Sequence, residues 1–172
     1  MKAAAIAMCA MLVATAVMAQ TPPAGRGAGQ AAAEPAAPAP PPGSAGIFKA
    51  NTDLQAVLKQ AIAKTNDMAS SPIALTDQYR VNIVHRPKAN GAIAHPGNTE
   101  LHYIIEGSGT VVTGGKIIRK PGAPAGSATI EGGETHKVTK GDVVIVPAGS
   151  AHMYSEVNGE ITYLEVRFVA PK

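Results

Sequence analysis

From Tyr79 onward the chain alternates, and that alternation decides what it can fold into. Tyr79-Arg80-Val81-Asn82-Ile83-Val84-His85 puts successive side chains on opposite faces of an extended strand. The same period of two runs through residues 101–105, 110–113, 135–139, 143–146 and 161–169. Between these stretches stand Asn90-Gly91, Pro96-Gly97, Gly107-Ser108-Gly109, Gly114-Gly115, Gly132-Gly133, Lys140-Gly141 and Asn158-Gly159, all residues that turn a chain. Short strands at such spacing with turn signals between them predict an all-β sandwich or barrel. Val143-Val144-Ile145-Val146 is apolar on both faces, so it is expected to be covered on both sides, as in a double-sheet jelly roll. Gly107-Ser108-Gly109 is followed by neither a helix start nor a Lys in phosphate-loop register, so it reads as a β-turn.

The first 46 residues lack this pattern. Lys2 is followed by an apolar run over residues 3–17, too short to span a membrane. Val17 and Ala19 place small residues at −3 and −1 of a cut before Gln20. Residues 1–19 therefore read as a signal peptide cleaved after Ala19, and the chain as periplasmic or secreted. Cys9, the single cysteine, lies inside that segment. The mature chain then has no disulfide, no thiolate nucleophile and no Cys ligand, which suits an oxidising compartment. Residues 20–46 are rich in Pro and Ala and read as a disordered linker.

Leu54, Val57, Leu58, Ala61, Ile62, Thr65 and Met68 recur at three- and four-residue steps, the mark of an amphipathic helix. Thr52-x-x-Gln55 fits a capping box at its start. The expected organisation is this helix within residues 47–70, packed on a β-domain of residues 71–172.

Fifteen Lys and Arg against 12 Asp and Glu give a net charge of +3. No basic run exceeds the pair Arg119-Lys120, and there are four Tyr, two Phe and no Trp. A nucleic-acid partner would want a basic stripe and stacking platforms, so that class is excluded. No segment after the signal reaches membrane-spanning length. No G-x-S-x-G elbow is present either, which argues against nucleophilic hydrolase chemistry.

Three of the five histidines fall in two glycine-bounded segments, GAIAHPGNTELHYIIEG (residues 91–107) and GDVVIVPAGSAH (residues 141–152). Glu100 and His102 are two apart on a strand and share a face. His95 precedes them across a Pro96-Gly97 turn that can fold it back over that face. Pro147-x-Gly149 makes a turn that aims His152. An inward Glu100 is costly unless it is paired or metal-bound. Without a metal, Glu100 is expected to hydrogen-bond to His95, His102 or His152. Imidazoles and a carboxylate on one wall suit a divalent transition metal. Tyr154 shares a face with His152 and is a pocket candidate. His136 is another, with exposure on an edge strand as its alternative. His85, beside Arg86-Pro87, is expected to touch solvent.

Gly141, Pro147, Gly149 and His152 fit G-x5-P-x-G-x2-H, which resembles the second motif of the cupins. Glu156 stands where that motif often has Asn. The first cupin motif, G-x5-H-x-H-x3-4-E-x6-G, is matched by His95, Glu100 and Gly107, while its first His falls at Ile93. The likeness covers residues 75–170. It implies a double-stranded β-helix, or jelly-roll barrel, holding one divalent ion of Zn, Fe, Mn, Ni or Cu. His95, Glu100 and His152 match the family's ligand positions. His102, by its parity with Glu100, is the substitute for the missing His. Such a centre implies action on a small polar molecule as an oxygenase, isomerase or hydrolase, with Glu100 the catalytic base in an isomerase. A non-catalytic metal or ligand binder and a metal-free structural barrel remain the alternatives. The family's habit of pairing through sheet edges implies a homodimer. Residues 116–128, KIIRKPGAPAGSA, read as a floppy loop or a lid, whose Lys116, Arg119 and Lys120 would suit an acidic ligand.

Overall fold

A computed structural model describes residues 37–124 and 126–169. The expected signal peptide and residues 20–36 of the expected linker lie outside the described residues. Of the linker's described end, Ala37 forms a bridge to Thr76, and its carbonyl accepts from the Asp77 N–H at 2.8 Å.

One helix precedes eight strands. They are α1 (Asn51–Ile62), β1 (Ala69–Leu75), β2 (Tyr79–Arg86), β3 (Asn98–Thr113), β4 (Lys116–Ile118), β5 (Thr129–Glu131), β6 (Glu134–Thr139), β7 (Val143–Val146) and β8 (His152–Val169). The main sheet runs β1-β2-β8-β3-β6, with β7 also paired to β3, and every pairing between named strands is antiparallel. Among the described residues this is the all-β fold with one helix that the alternation and the helical period predict, in the jelly-roll form that the likeness implies. Among the described residues no helix is long and apolar enough to cross a membrane.

α1 packs on β1 and β2 and buries Leu58. The capping box does not form. The helix begins two residues earlier, with Ala50 as N-cap and no side-chain cap, and Gln55 Nε2 instead donates to Asn51 Oδ1 at 3.5 Å. The periodic pattern also outlasts the helix, which ends at Ile62.

Two glycine clusters expected to turn the chain bend it instead. β3 runs through Gly107-Ser108-Gly109 and β8 through Asn158-Gly159, with pairing irregularities between Ile104 and Glu106 and between Gly107 and Gly109. Gly107 has φ +82°, and a Cβ there would collide with the Glu160 carbonyl. Only glycine lets β3 curve here while β8 stays hydrogen-bonded alongside. The two long strands thus pair along both halves and carry the chain around the barrel.

Residues 116–128 begin with β4, which pairs with β5 as a small hairpin. The segment closes against the barrel where the Ala92 N–H donates to the Ala128 carbonyl at 2.8 Å.

The core packs Val84, Ile104, Val111, Val138, Tyr154, Ile161 and Tyr163. Beside it the usual alternation is reversed. Glu100, His102, Tyr163, Glu165 and Asn82 point into the barrel and are buried, while Leu101, Tyr103, Leu164 and Val166 take the outer face. β7 follows suit. Val146 is buried, but Val143 is 55% exposed and Ile145 61% exposed. This corrects the expectation that β7 is covered on both sides: one face meets the barrel interior and the other meets solvent.

Candidate metal centre

The register of β3 and β8 writes a polar row across the interior. Glu100 lies opposite Arg167, and His102 opposite Glu165, whose other neighbour across the sheet is Asn82 on β2. Directly opposed side chains on one face are in contact range, so these charges meet because the pairing places them there.

His95 and His152 reach the same point by backbone geometry. Pro96-Gly97 forms a turn in which the Asn98 N–H donates to the His95 carbonyl at 3.4 Å, and Gly97 has φ +82°. Pro at the second position and a left-handed Gly at the third make a type II turn, which folds His95 back over Glu100. Ile93 and His152 form an antiparallel bridge through reciprocal bonds of 3.0 and 2.9 Å, and the Gly149 N–H donates to the His95 carbonyl at 3.1 Å. Ile93, standing where the first motif His would be, therefore contributes backbone pairing that fixes His152.

The result is a carboxylate ringed by nitrogens. Glu100 Oε1 lies 3.1 Å from His95 Nε2 and 2.9 Å from Arg167 Nε. Glu100 Oε2 lies 3.2 Å from His152 Nε2 and 3.3 Å from His102 Nε2. The Glu100 side chain is 1% exposed. Burial by itself would raise its carboxyl. The imidazoles of His102 and His152 and the Arg167 guanidinium outweigh this and hold it well below the usual carboxylate range. Burial holds the His95 imidazole below its ordinary value, against the pull of Glu100.

Hydrogen-bond partners fix the tautomers. A carboxylate only accepts, so His102 Nε2–H donates to Glu100 and His102 Nδ1 accepts the Tyr154 hydroxyl at 3.2 Å. Burial raises the Tyr154 phenol far above its ordinary range, so it remains a donor. A carbonyl also only accepts, so His152 Nδ1–H donates to Ser150 O at 3.3 Å. In the neutral ring this leaves a lone pair on Nε2, facing a carboxylate oxygen. Two acceptors at 3.2 Å repel unless a proton or a metal ion lies between them. A histidine whose second nitrogen is tied to a carbonyl is the usual arrangement of a metal ligand.

Two groups of side chains have metal-ligand spacing: His95, Glu100 and His152, and Glu100, His102 and Glu165. Hydrogen bonding separates them. In the second, both Glu165 oxygens already accept, from Asn82 Nδ2 at 2.9 Å and Arg167 Nη2 at 3.1 Å, and both His102 nitrogens are engaged. In the first, His95 Nε2, Glu100 Oε1 and Arg167 Nε are buried and approach at 2.9 to 3.1 Å, but without hydrogen-bond geometry. Donors about 2.1 Å from one ion lie about 3.0 Å apart at right angles and about 3.4 Å apart in a tetrahedron. His95 lies 3.1 Å from Oε1 and His152 3.2 Å from Oε2, each in that range to its own carboxylate oxygen, and one ligand atom from each of the three residues lies within 4.8 Å of the others. The first group fits a divalent ion, and His102 falls behind it as the hydrogen-bond donor that orients Glu100.

Of the remaining candidates, Tyr154 is buried behind the cluster, where its ring stacks against both His102 and Tyr163, which also meet each other. His136 is exposed on β6 with Nε2 3.2 Å from Glu134, away from the cluster. His85 is buried, with Nδ1 3.2 Å from Thr162 Oγ1, so the expectation that it touches solvent does not hold. A surface groove lined by Ser108, Thr110, Lys137, Thr139, Glu156 and Asn158 shares no residue with the cluster. Arg167, Glu165, Asn82 and Arg86 were not singled out in the sequence. For Glu165 and Arg167 the signal was their i, i+2 spacing with Tyr163, which puts three polar side chains on one face of β8.

The family model described as Cupin matches residues 78–160. No curated protein matches the chain in sequence. Among solved structures it is similar to the Schizosaccharomyces pombe Cnp3 cupin domain, at 12% identity over 62% of this chain and 67% of that one, with a TM-score of 0.48. It is similar to KdgF from Halomonas sp., at 12% identity over 62% and 84%, with a TM-score of 0.46. It is also similar to a cupin superfamily protein from Desulfitobacterium hafniense, at 17% identity over 62% and 81%, with a TM-score of 0.43.

Proposed function

We propose that this chain, which belongs to the cupin superfamily, holds one divalent transition metal through His95, Glu100 and His152 and acts with it on a small polar molecule. The observation that carries the reading is the His152 tautomer: Nδ1 is committed to Ser150, and Nε2 faces the Glu100 carboxylate. Two imidazoles and one carboxylate form the donor set of open mononuclear centres, among them those of non-haem iron oxygenases. Bound there, the ion supplies Lewis-acid or redox chemistry to whatever enters its free positions.

The chain's own residues do the positioning. Tyr154 orients His102, His102 and Arg167 orient Glu100, and Ser150 orients His152. Glu100 serves as a ligand here rather than a general base, because a carboxylate held so low accepts protons poorly near neutral pH. The reading also includes export, supported by Lys2, the apolar run after it and the small residues before Gln20. It includes a homodimer, supported by the exposed outer face of Tyr103, Val143 and Ile145.

Arg167 favours a second reading, a metal-free barrel, since its charge already compensates Glu100. Thermal unfolding separates the two. Addition of Fe(II), Mn(II), Zn(II), Ni(II) or Cu(II) in turn to chelator-treated chain raises the midpoint for at least one ion if the metal reading holds. Midpoints unmoved by all five favour the metal-free barrel.

A further inference from the structure

The interior that would receive the ion already carries as many basic as acidic side chains. Among the described residues Glu100 and Glu165 stand with Arg86 and Arg167, and the partly buried Arg80 lies opposite Arg167 in the same row. Arg167 bridges the two carboxylates, through Nε to Glu100 and Nη2 to Glu165. Arg86 Nε donates to the Tyr163 hydroxyl at 2.7 Å, and its guanidinium carbon lies 5.4 Å from the Tyr154 ring centre. A divalent ion therefore adds two positive charges to a volume with no unpaired carboxylate. Uncompensated charge in such surroundings is expensive.

Access narrows where compensation can come from. The side chains of His95 and Arg167 are 19% and 14% exposed, against 5% or less for Glu100, His102 and His152. The approach to the cluster is therefore past the His95 and Arg167 side chains, and an entering molecule comes up against Arg167. Its Nε stands 2.9 Å from Glu100 Oε1 and its Nη2 3.1 Å from Glu165 Oε2.

Resting on the metal reading, we propose that the loaded centre selects a small carboxylate-bearing ligand, its anionic group shared between the ion and Arg167. A carboxylate can bridge the ion and the guanidinium, one oxygen to each, and offsets part of the charge that the ion brings. A neutral polyol or amide does the first poorly and the second not at all.

Co(II) is the probe ion and malonate the probe ligand, with uncharged malonamide as its control. Bound Co(II) per chain is counted first, and the visible Co(II) spectrum is then followed through each titration. Wild type is expected to hold Co(II), and R167Q to hold it more weakly, so each malonate titration is run at a Co(II) concentration that saturates the chain in question. Malonate should shift the wild-type spectrum, bind R167Q roughly tenfold or more weakly, and bind R167K in between. Malonamide should leave all three spectra unchanged. Equal malonate affinity in wild type and R167Q overturns the proposal, as does malonamide binding like malonate. If R167Q fails to fold by circular dichroism, the malonate–malonamide contrast in wild type and the weakening in R167K decide. Co(II) bound with malonate silent sinks this proposal alone, whereas a wild-type chain that binds no Co(II) sinks the metal reading with it.

Discussion

His152 has both ring nitrogens directed at acceptors, one a carbonyl and the other a carboxylate. At the residue scale the account turns on what that costs and what relieves it. The metal-free chain should pay at low pH. The folded carboxyl of Glu100 lies below its unfolded value of 4.5, so its contribution is complete above that value and disappears as pH falls towards the folded one. His95 is also lowered, from 6.5. The unfolded chain therefore takes up that proton more readily, and the folded state loses ground as pH drops below 6.5. Thermal midpoints of chelator-treated chain should fall from pH 7 to pH 4. H95Q should flatten the upper part of this slope and E100Q the lower. A midpoint that rises on acidification contradicts both assignments. The four residues His95, Glu100, His102 and His152 were legible from motif spacing and strand parity. Separating His102 from the other three was not, because it depends on which partner each ring nitrogen finds. Arg167 stayed hidden for another reason. In Leu164-Glu165-Val166-Arg167-Phe168 a charged residue between apolar ones reads as outward, and here it points in.

At the scale of elements, β2, β3, β6, β7 and β8 were found where alternation placed them, but their ends were not, and β1, β4 and β5 were not foreseen, β4 lying in a stretch expected to be a loop. Gly107-Ser108-Gly109 and Asn158-Gly159 carry turn chemistry, yet each lies within a continuous strand that bends around the barrel. Local composition cannot distinguish a reversal from a bend, because both need glycine. The difference lies in whether a partner strand continues alongside, as β8 does beside β3. G107A tests this. A left-handed backbone and a collision with Glu160 should together cost about 2 kcal/mol or more, read as a lower denaturation midpoint. An unchanged midpoint would mean that β3 does not curve tightly there. The helix start was misplaced by two residues because Thr52 and Gln55 have capping chemistry, while Ala50 already occupies the cap position by its backbone.

For the whole molecule, the reversed alternation ties the site to its surroundings. A polar interior leaves the apolar residues of β3, β7 and β8 on the outer face, where Tyr103, Val143 and Ile145 remain exposed. If two copies cover that face, V143T/I145K should sediment as a monomer while still binding metal, whereas wild type sediments as a dimer. A monomeric wild type would remove the dimer from the account and leave the metal site untouched. The most direct test of the central claim is metal content per chain, measured on wild type, H95A, H102Q and H152A after reconstitution and dialysis. The account predicts close to one ion in wild type and almost none in H95A and H152A. H102Q should retain the ion with affinity weakened about tenfold to a hundredfold, as for loss of a residue that orients a ligand. No ion in wild type, or an ion that survives both H95A and H152A, would contradict it.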